Sequence, residues 1–385
     1  MISLLLACAS EPTLDRDLWG VPEHFPDPAV PQDNPLTPAR VELGRYLFYD
    51  FGLSDTGTRS CGICHETAKG FTDGFVRAVG THNDIHPRNT LSVINAAWRG
   101  ELGWVPGSNL TLEQQLLIPL LGEHPIEMGM SEALLLERIN DNPLYPPLFE
   151  QAFGDAEPTL EHAAMAIAGF ERSIIGGRSP YDAWLQGTPL PEDAERGRAL
   201  FFGEETQCSR CHGGLFLDSP TNQWGQVTAK HGAFNTGLYN VDGEGAYPET
   251  APGLIAKTGR ARDSGVFRTP SLRNVALTGP WGHDGSVGSL QDMLDSYARG
   301  GRLVSSGANP GDGATNPNKS KHIQGFDLSE AQAQDLLAFL DALTDESLLE
   351  DARYQSPFCP FDINDTGTPA EADCIPDSRP PELLP

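Results

Sequence analysis

Apolar residues first settle into a regular spacing at Val41, Leu43, Tyr46, Leu47 and Phe48, and Thr37-Pro38 ahead of them supplies an N-cap and a first-turn proline. The pattern predicts a helix opening at Pro38. A second helical pattern, Asp193 to Phe202, carries Gly197-Arg-Ala-Leu-Phe201 where the first carries Gly44-Arg-Tyr-Leu-Phe48. Between them, Thr111-Leu-Glu-Gln114 reads as a capping box opening Leu112 to Leu121, Ser131 as the cap of Glu132 to Asn140, and Leu160 to Ser173 as a further helix. Later, Ser289 to Arg299 has helical spacing and Ser329-Glu-Ala-Gln332 opens a last amphipathic helix to Leu343. Strand alternation is scarce, and Gly- and Pro-rich loops fill the rest. The expected fold is mainly α with long connecting loops.

The flanks lack such periodicity. Residues 9–36 read as an extended arm, and residues 346–385 as an acidic, Pro-rich tail; residues 341–385 hold 11 Asp and Glu against 2 Arg. The whole chain of 385 residues has a formal charge of −27, which excludes nucleic-acid backbones as partners and favours a basic protein surface. No apolar run approaches the roughly 20 residues that span a bilayer. Residues 1–8 end in Leu-Leu-Ala-Cys8, which resembles the lipobox of a bacterial lipoprotein signal. Export to the periplasm or cell envelope is expected, with a lipid anchor on Cys8. Cys359 and Cys374 are spaced for a disulfide in an oxidising compartment.

The remaining four cysteines form the chemistry-bearing repeat. Cys61-Gly-Ile-Cys64-His65 recurs 147 residues on as Cys208-Ser-Arg-Cys211-His212, each after a Gly-Arg-x-Leu-Phe helix and before an aromatic turn ending in Asp73 or Asp218. In CxxCH the two thiols can bond to the vinyl groups of a haem while the histidine reaches the iron. A zinc ribbon would put its two CxxC pairs within about 20 residues of each other and needs no fused histidine. Two covalent c-type haems are therefore expected, with His65 and His212 as one axial ligand each. The second ligand decides between an electron carrier and a site open to peroxide. Met293 and Tyr297 sit at i and i+4 on one helical face, and either could reach a haem.

At this point the chain resembles the bacterial di-haem cytochrome c peroxidase and MauG superfamily over residues 37–345. The stretches that carry the likeness are His86-Pro-Arg-Asn89, Trp104, Leu112-Glu-Gln-Gln115, Pro119, Pro125-Ile-Glu-Met128 and Phe267 through Gly285, "FRTPSLRNVALTGPWGHDG". Within the family it is most similar to the MauG side, especially the MbnH-like branch that modifies a tryptophan on a companion protein. The resemblance implies two cytochrome c-like haem domains, 37–187 peroxidatic and 188–345 for electron transfer. It makes Tyr297, 14 residues after His283, the second ligand of the C-terminal haem, where peroxidases have Met and MauG has Tyr. A phenolate favours ferric and higher oxidation states. Glu127 matches a distal-pocket proton shuttle and Gln115, or Gln114, a distal glutamine. His82 and His86 lie near the place of a distal histidine, but neither aligns cleanly. Trp104 matches the tryptophan between the haems, and Asn89, Thr278 and Pro280 match inter-domain calcium ligands. His283 is expected to hydrogen-bond near a haem.

The leading expectation is an enzyme that uses hydrogen peroxide, stores oxidising equivalents as high-valent iron and oxidises a residue, Trp above all, on a protein partner. The rival enzyme reading is a cytochrome c peroxidase fed by a small cytochrome or cupredoxin. A non-enzymatic di-haem electron carrier is the third.

Overall fold

The computed structural model describes residues 14–218 and 232–358, so Cys8, Cys359 and Cys374 lie outside the described residues. Among the described residues twelve α-helices follow one another: α1 (Arg16–Trp19), α2 (Pro38–Tyr49), α3 (Cys61–Cys64), α4 (Leu112–Leu121), α5 (Glu132–Asp141), α6 (Tyr145–Phe153), α7 (Leu160–Ser173), α8 (Pro180–Leu185), α9 (Glu192–Phe202), α10 (Ile255–Thr258), α11 (Leu290–Ala298) and α12 (Glu330–Asp341). Two short antiparallel ribbons complete the described fold. β1 (Ala233–Phe234) pairs with β2 (Phe267–Arg268), and β3 (Leu303–Val304) with β4 (Gly311–Asp312).

The caps read from the sequence are the caps in place. Thr37, Thr111, Ser131, Ser289 and Ser329 each accept a backbone N–H three residues on, and Gln114 and Gln332 close capping boxes. Five helices escape the periodicity: the four-residue α1, α3 and α10, and the longer α6 and α8. α6 begins with Tyr145-Pro-Pro, where prolines fit a first turn, and α8 opens on a Ser179–Asp182 capping box only six residues long.

The repeated Gly-Arg-x-Leu-Phe motif has a packing reason. A Cβ at Gly44 would lie 1.9 Å from the Ala166 carbonyl oxygen, and one at Gly197 would lie 1.8 Å from that of Asp335. Only a bare Cα allows α2 to cross α7, and α9 to cross α12, at that distance. Four residues beyond each glycine, Phe48 meets Phe170 and Phe201 meets Phe339, with ring centroids 5.1 Å and 5.2 Å apart. Each half thus has its own core around one glycine-notched helix pair.

The flanks are less loose than their composition implies. Trp19, Val21 and Phe25 of the arm pack with Trp98, Ile175 and Leu215, and the Phe25 ring meets Phe216 edge-on at 5.2 Å. The opening of the acidic, Pro-rich tail is also packed. Leu348, Tyr354 and Phe358 are buried in the first half's core, and Tyr354 Oη donates to the Ser173 carbonyl at 2.8 Å. These apolar residues follow no period, so the acid between them hid their burial. Residues 19–25 of the arm therefore reach the second half at Leu215, and residues 348–358 return to the first.

Candidate active site

Both CxxCH copies end in one local geometry. His65 Nδ1 lies 3.0 Å from the Phe71 carbonyl oxygen, and His212 Nδ1 lies 2.9 Å from that of Leu217. A carbonyl only accepts, so Nδ1 carries the proton in each ring and Nε2 keeps a free lone pair. Phe71 and Leu217 are buried residues in the left-handed region, at φ 60° and 53°, which is costly for side chains of their size. That turn is what brings the carbonyl back to the imidazole. Burial lowers the pKa of both histidines, against the opposing pull of these carbonyls and of Asp73 or Asp218. Cys61, Cys64, Cys208 and Cys211 are free thiols, and burial raises the pKa of each. Two uncrosslinked thiols beside a neutral, oriented imidazole are the donor set a c-type haem requires.

Beside His212 lies a cavity of about 590 Å³. His212, Met293 and Tyr297 all line it, as do Trp104 and Asn89 from the first half. The Tyr297 phenol is raised in pKa by burial first and then by the neighbouring Cys211, Cys208 and Tyr247. Three buried polar atoms here have no hydrogen-bond partner: Arg99 Nε, Arg273 Nη2 and His283 Nε2, each on a residue that lines the cavity. Arg268 lines it too, lowered to about 10 by burial and then by Arg99. Unpaired guanidinium N–H groups inside an apolar wall need an anion, and the two carboxylates of a haem supply one. The residues fit the group.

The first site is edged by acid. Glu127 Oε1 stands 3.9 Å from His86 Nε2, and its charge bears on both Cys61 and Cys64. Burial raises the Glu127 carboxyl against the pull of His86 and Arg88. Its backbone is pinned, because Thr81 N donates to the Glu127 carbonyl at 2.8 Å and Ile126 N to Asp84 Oδ2 at 2.9 Å. His82 instead pairs with Asp55 at the surface. Gln114 is engaged in its capping box, which leaves Gln115 as the glutamine of α4 free of that role.

Between the sites, Trp104 Nε1 donates to the Asn89 carbonyl at 2.8 Å, and Asn89 N donates to the His283 carbonyl at 2.9 Å. Asn89, Thr278 and Pro280 share the cavity wall with Trp104. Gly285 of the His-Asp-Gly turn, at φ +66, seats against the first half: a Cβ there would stand 2.2 Å from the Val76 carbonyl oxygen. His283 stacks on Phe267 with centroids 3.7 Å apart, and burial lowers its pKa to about 4.

Sequence reasoning missed Arg99, Arg273 and Tyr247 as cavity residues. Arg273 lies within the quoted Phe267–Gly285 stretch, but nothing in the motif says its guanidinium points at a pocket. It also missed Glu171, whose carboxyl burial raises to about 7 despite Arg172 and whose charge bears on Cys61.

A duplicated, histidine-oriented CxxCH module beside a large cationic cavity defines a di-haem c-type oxidoreductase. The family model described as "Di-haem cytochrome c peroxidase" matches residues 38–189. The chain is 35% identical over 346 residues to the methylamine utilization protein MauG of Methylorubrum extorquens, covering 88% of this chain and 89% of that protein. It is 31% identical over 362 residues to the cytochrome-c peroxidase IdrP1 of Denitromonas iodatirespirans, covering 89% and 91%. Among solved structures, a MauG-like protein associated with microbial copper homeostasis superposes with a TM-score of 0.84 at 42% identity, covering 88% of this chain and 99% of that one. The chain belongs to the di-haem cytochrome c peroxidase and MauG family, and is an enzyme that uses peroxide with two c-type haems.

Proposed function

We propose that the enzyme stands on the MauG side of its family, retaining the two oxidising equivalents of hydrogen peroxide and drawing the matching electrons from a residue, Trp above all, on a protein partner. The observation that carries this reading is Tyr297 on the wall of the cavity that holds His212, within reach of the charges of Cys208 and Cys211. The haems supply the redox chemistry when bound; the chain's own residues hold, orient and protonate.

His65 and His212, with rings fixed through Nδ1, would each offer Nε2 to a haem iron. Arg99 and Arg268 would neutralise haem carboxylates, and Arg273, whose charge Asp182 balances, would offer them its unpaired Nη2 hydrogen. Tyr297 would be the chain's second ligand to the haem beside His212; burial raises the phenol's pKa, so metal binding there would be coupled to loss of its proton. Glu127, raised by burial, carries a proton between the oxygens of peroxide, with His86 beside it. Gln115 fills out that pocket. Trp104, bonded to Asn89 and lining the second cavity, links the two sites. His283 closes the second cavity.

Asn89, Thr278 and Pro280 are proposed to hold calcium. No group of three or more His, Cys, Asp or Glu is gathered as a metal site among the described residues, so the cation would rest on amide and carbonyl oxygens. The protein is proposed to act in the periplasm or envelope, anchored by lipid through Cys8. No described helix is long and apolar enough to cross a membrane.

The peroxidase reading keeps one specific support, Met293 on the same cavity wall as Tyr297. The two part on one experiment. Ferric enzyme given peroxide with no electron donor should change its haem spectrum for minutes and then oxidise an added partner protein. Peroxide turnover only after prior half-reduction would instead establish the donor-fed peroxidase.

A further inference from the structure

Behind the cavity wall, two tyrosines stand in series. Tyr247 lines the cavity, is 5% exposed, and lies close enough to Tyr297 to influence its phenol. Its ring meets that of Tyr239 at 5.6 Å, edge to face. Their hydroxyls differ in one respect. Tyr247 Oη donates to the amide oxygen of Asn235 at 2.8 Å, while Tyr239 Oη donates to the carboxylate of Asp284 at 2.6 Å. An amide oxygen is too weak a base to take a phenolic proton; a carboxylate at that distance can take it. Surroundings on the far side lead outward. The Arg302 guanidinium lies 5.8 Å from the Tyr239 ring, its neighbour Leu303 is 55% exposed, and Val241, two residues beyond Tyr239, is 36% exposed.

We propose that Tyr247 and Tyr239 form an electron relay from the second cavity to the face carrying Leu303 and Val241, with Tyr239 as the residue that holds the radical. The proposal rests on the reading that oxidising equivalents from peroxide are retained. In the forward step one electron leaves Tyr239, passes by way of Tyr247, and reduces the oxidised cofactor in the cavity by one; the Tyr239 proton moves to Asp284. In the return step a side chain of the docked partner gives one electron to Tyr239, and Asp284 gives the proton back. Two such cycles deliver the two electrons that one hydrogen peroxide removes. Tyr247, lacking a base, acts as a stepping position and not a resting place.

The test is electron paramagnetic resonance of the full-length holoenzyme frozen after mixing with peroxide, without partner. A tyrosyl signal is expected, narrowed by ring-deuterated tyrosine. Tyr239→Phe should abolish it and Asp284→Asn should reduce it at least about tenfold, with haem content by pyridine haemochrome unchanged. A second arm replaces peroxide with flash-generated ruthenium(III) tris-bipyridine. A protein that fails to retain peroxide equivalents would then lose the signal in the first arm only, which separates failure of the functional reading from failure of the relay. Tyrosyl signals of equal size in wild type and Tyr239→Phe, in either arm, would overturn the relay, as would the absence of any tyrosyl signal in both arms.

Discussion

The two CxxCH modules are held alike and surrounded differently. In each, a glycine-notched helix crosses its partner against a pair of phenylalanines, and an imidazole is fixed through Nδ1 by a carbonyl in a left-handed turn. The first module then faces Glu127 and His86, a carboxylate and an imidazole that can move protons. The second faces a cavity lined by Arg99, Arg268, Arg273, Tyr247 and Tyr297. Duplication preserved the way an axial histidine is held, and the opposite wall of each site was left free to specialise. On the proposed reading, one copy serves proton transfer and the other charge and electron storage.

The seam between the halves is where the comparison breaks most sharply. Asp182 takes Arg273 Nη1 on both oxygens at 2.9 Å, with side chains 1% and 3% exposed, and His24 of the arm on Oδ1 at 2.8 Å. Asp182→Asn leaves a buried guanidinium without its counter-charge and should cost about 3–5 kcal/mol in chemical denaturation, at neutral pH. Burial pushes the Asp182 carboxyl up, but Arg273, His24 and Ser179 outweigh it and hold the group well below the usual carboxylate range. The folded form thus binds the proton more weakly than the unfolded chain. This contribution is complete above the unfolded carboxylate pKa of about 4 and is lost as pH falls toward the depressed folded value, a slope the Asn variant should lack.

Next in size is the proton-handling side. Glu127→Gln should slow peroxide activation by about 10²-fold or more while both haems stay attached, measured by stopped-flow and pyridine haemochrome. Unchanged turnover would remove Glu127 from the first site's chemistry and, with it, half of the contrast. Smaller again are Gly44→Ala and Gly197→Ala. Each methyl would collide with a backbone carbonyl, and each should cost about 1–3 kcal/mol by thermal or urea unfolding. Comparable losses from both sites would support equivalent crossings; a loss at one alone would break the equivalence.

Much of this is legible in the sequence. Caps at Thr37, Thr111, Ser131, Ser289 and Ser329 are local chemistry, and a local hydrogen bond leaves a local signature. CxxCH carries its spacing in five residues, so both attachment points could be read directly. Arg99 and Arg273 could not, because an arginine's role depends on which cavity its side chain enters, and that is set by segments far apart in the chain. The same holds for the burial of Tyr354, which lies in acidic sequence yet bonds to Ser173 across the fold. His82 and His86 show the limit from the other side. Four residues apart in sequence, one pairs with Asp55 at the surface and the other stands beside Glu127.

The proposed function depends on which side chain would complete the second haem, Tyr297 or Met293. Near-infrared absorption and magnetic circular dichroism of the ferric holoenzyme read this directly, since thioether ligation gives a sulfur-to-iron band and phenolate does not. The prediction is no such band in the wild type, no change in Met293→Leu, and appearance of the band in Tyr297→Met with both haems still attached. A sulfur band in the wild type that Met293→Leu abolishes would contradict the account and place the enzyme with the donor-fed peroxidases.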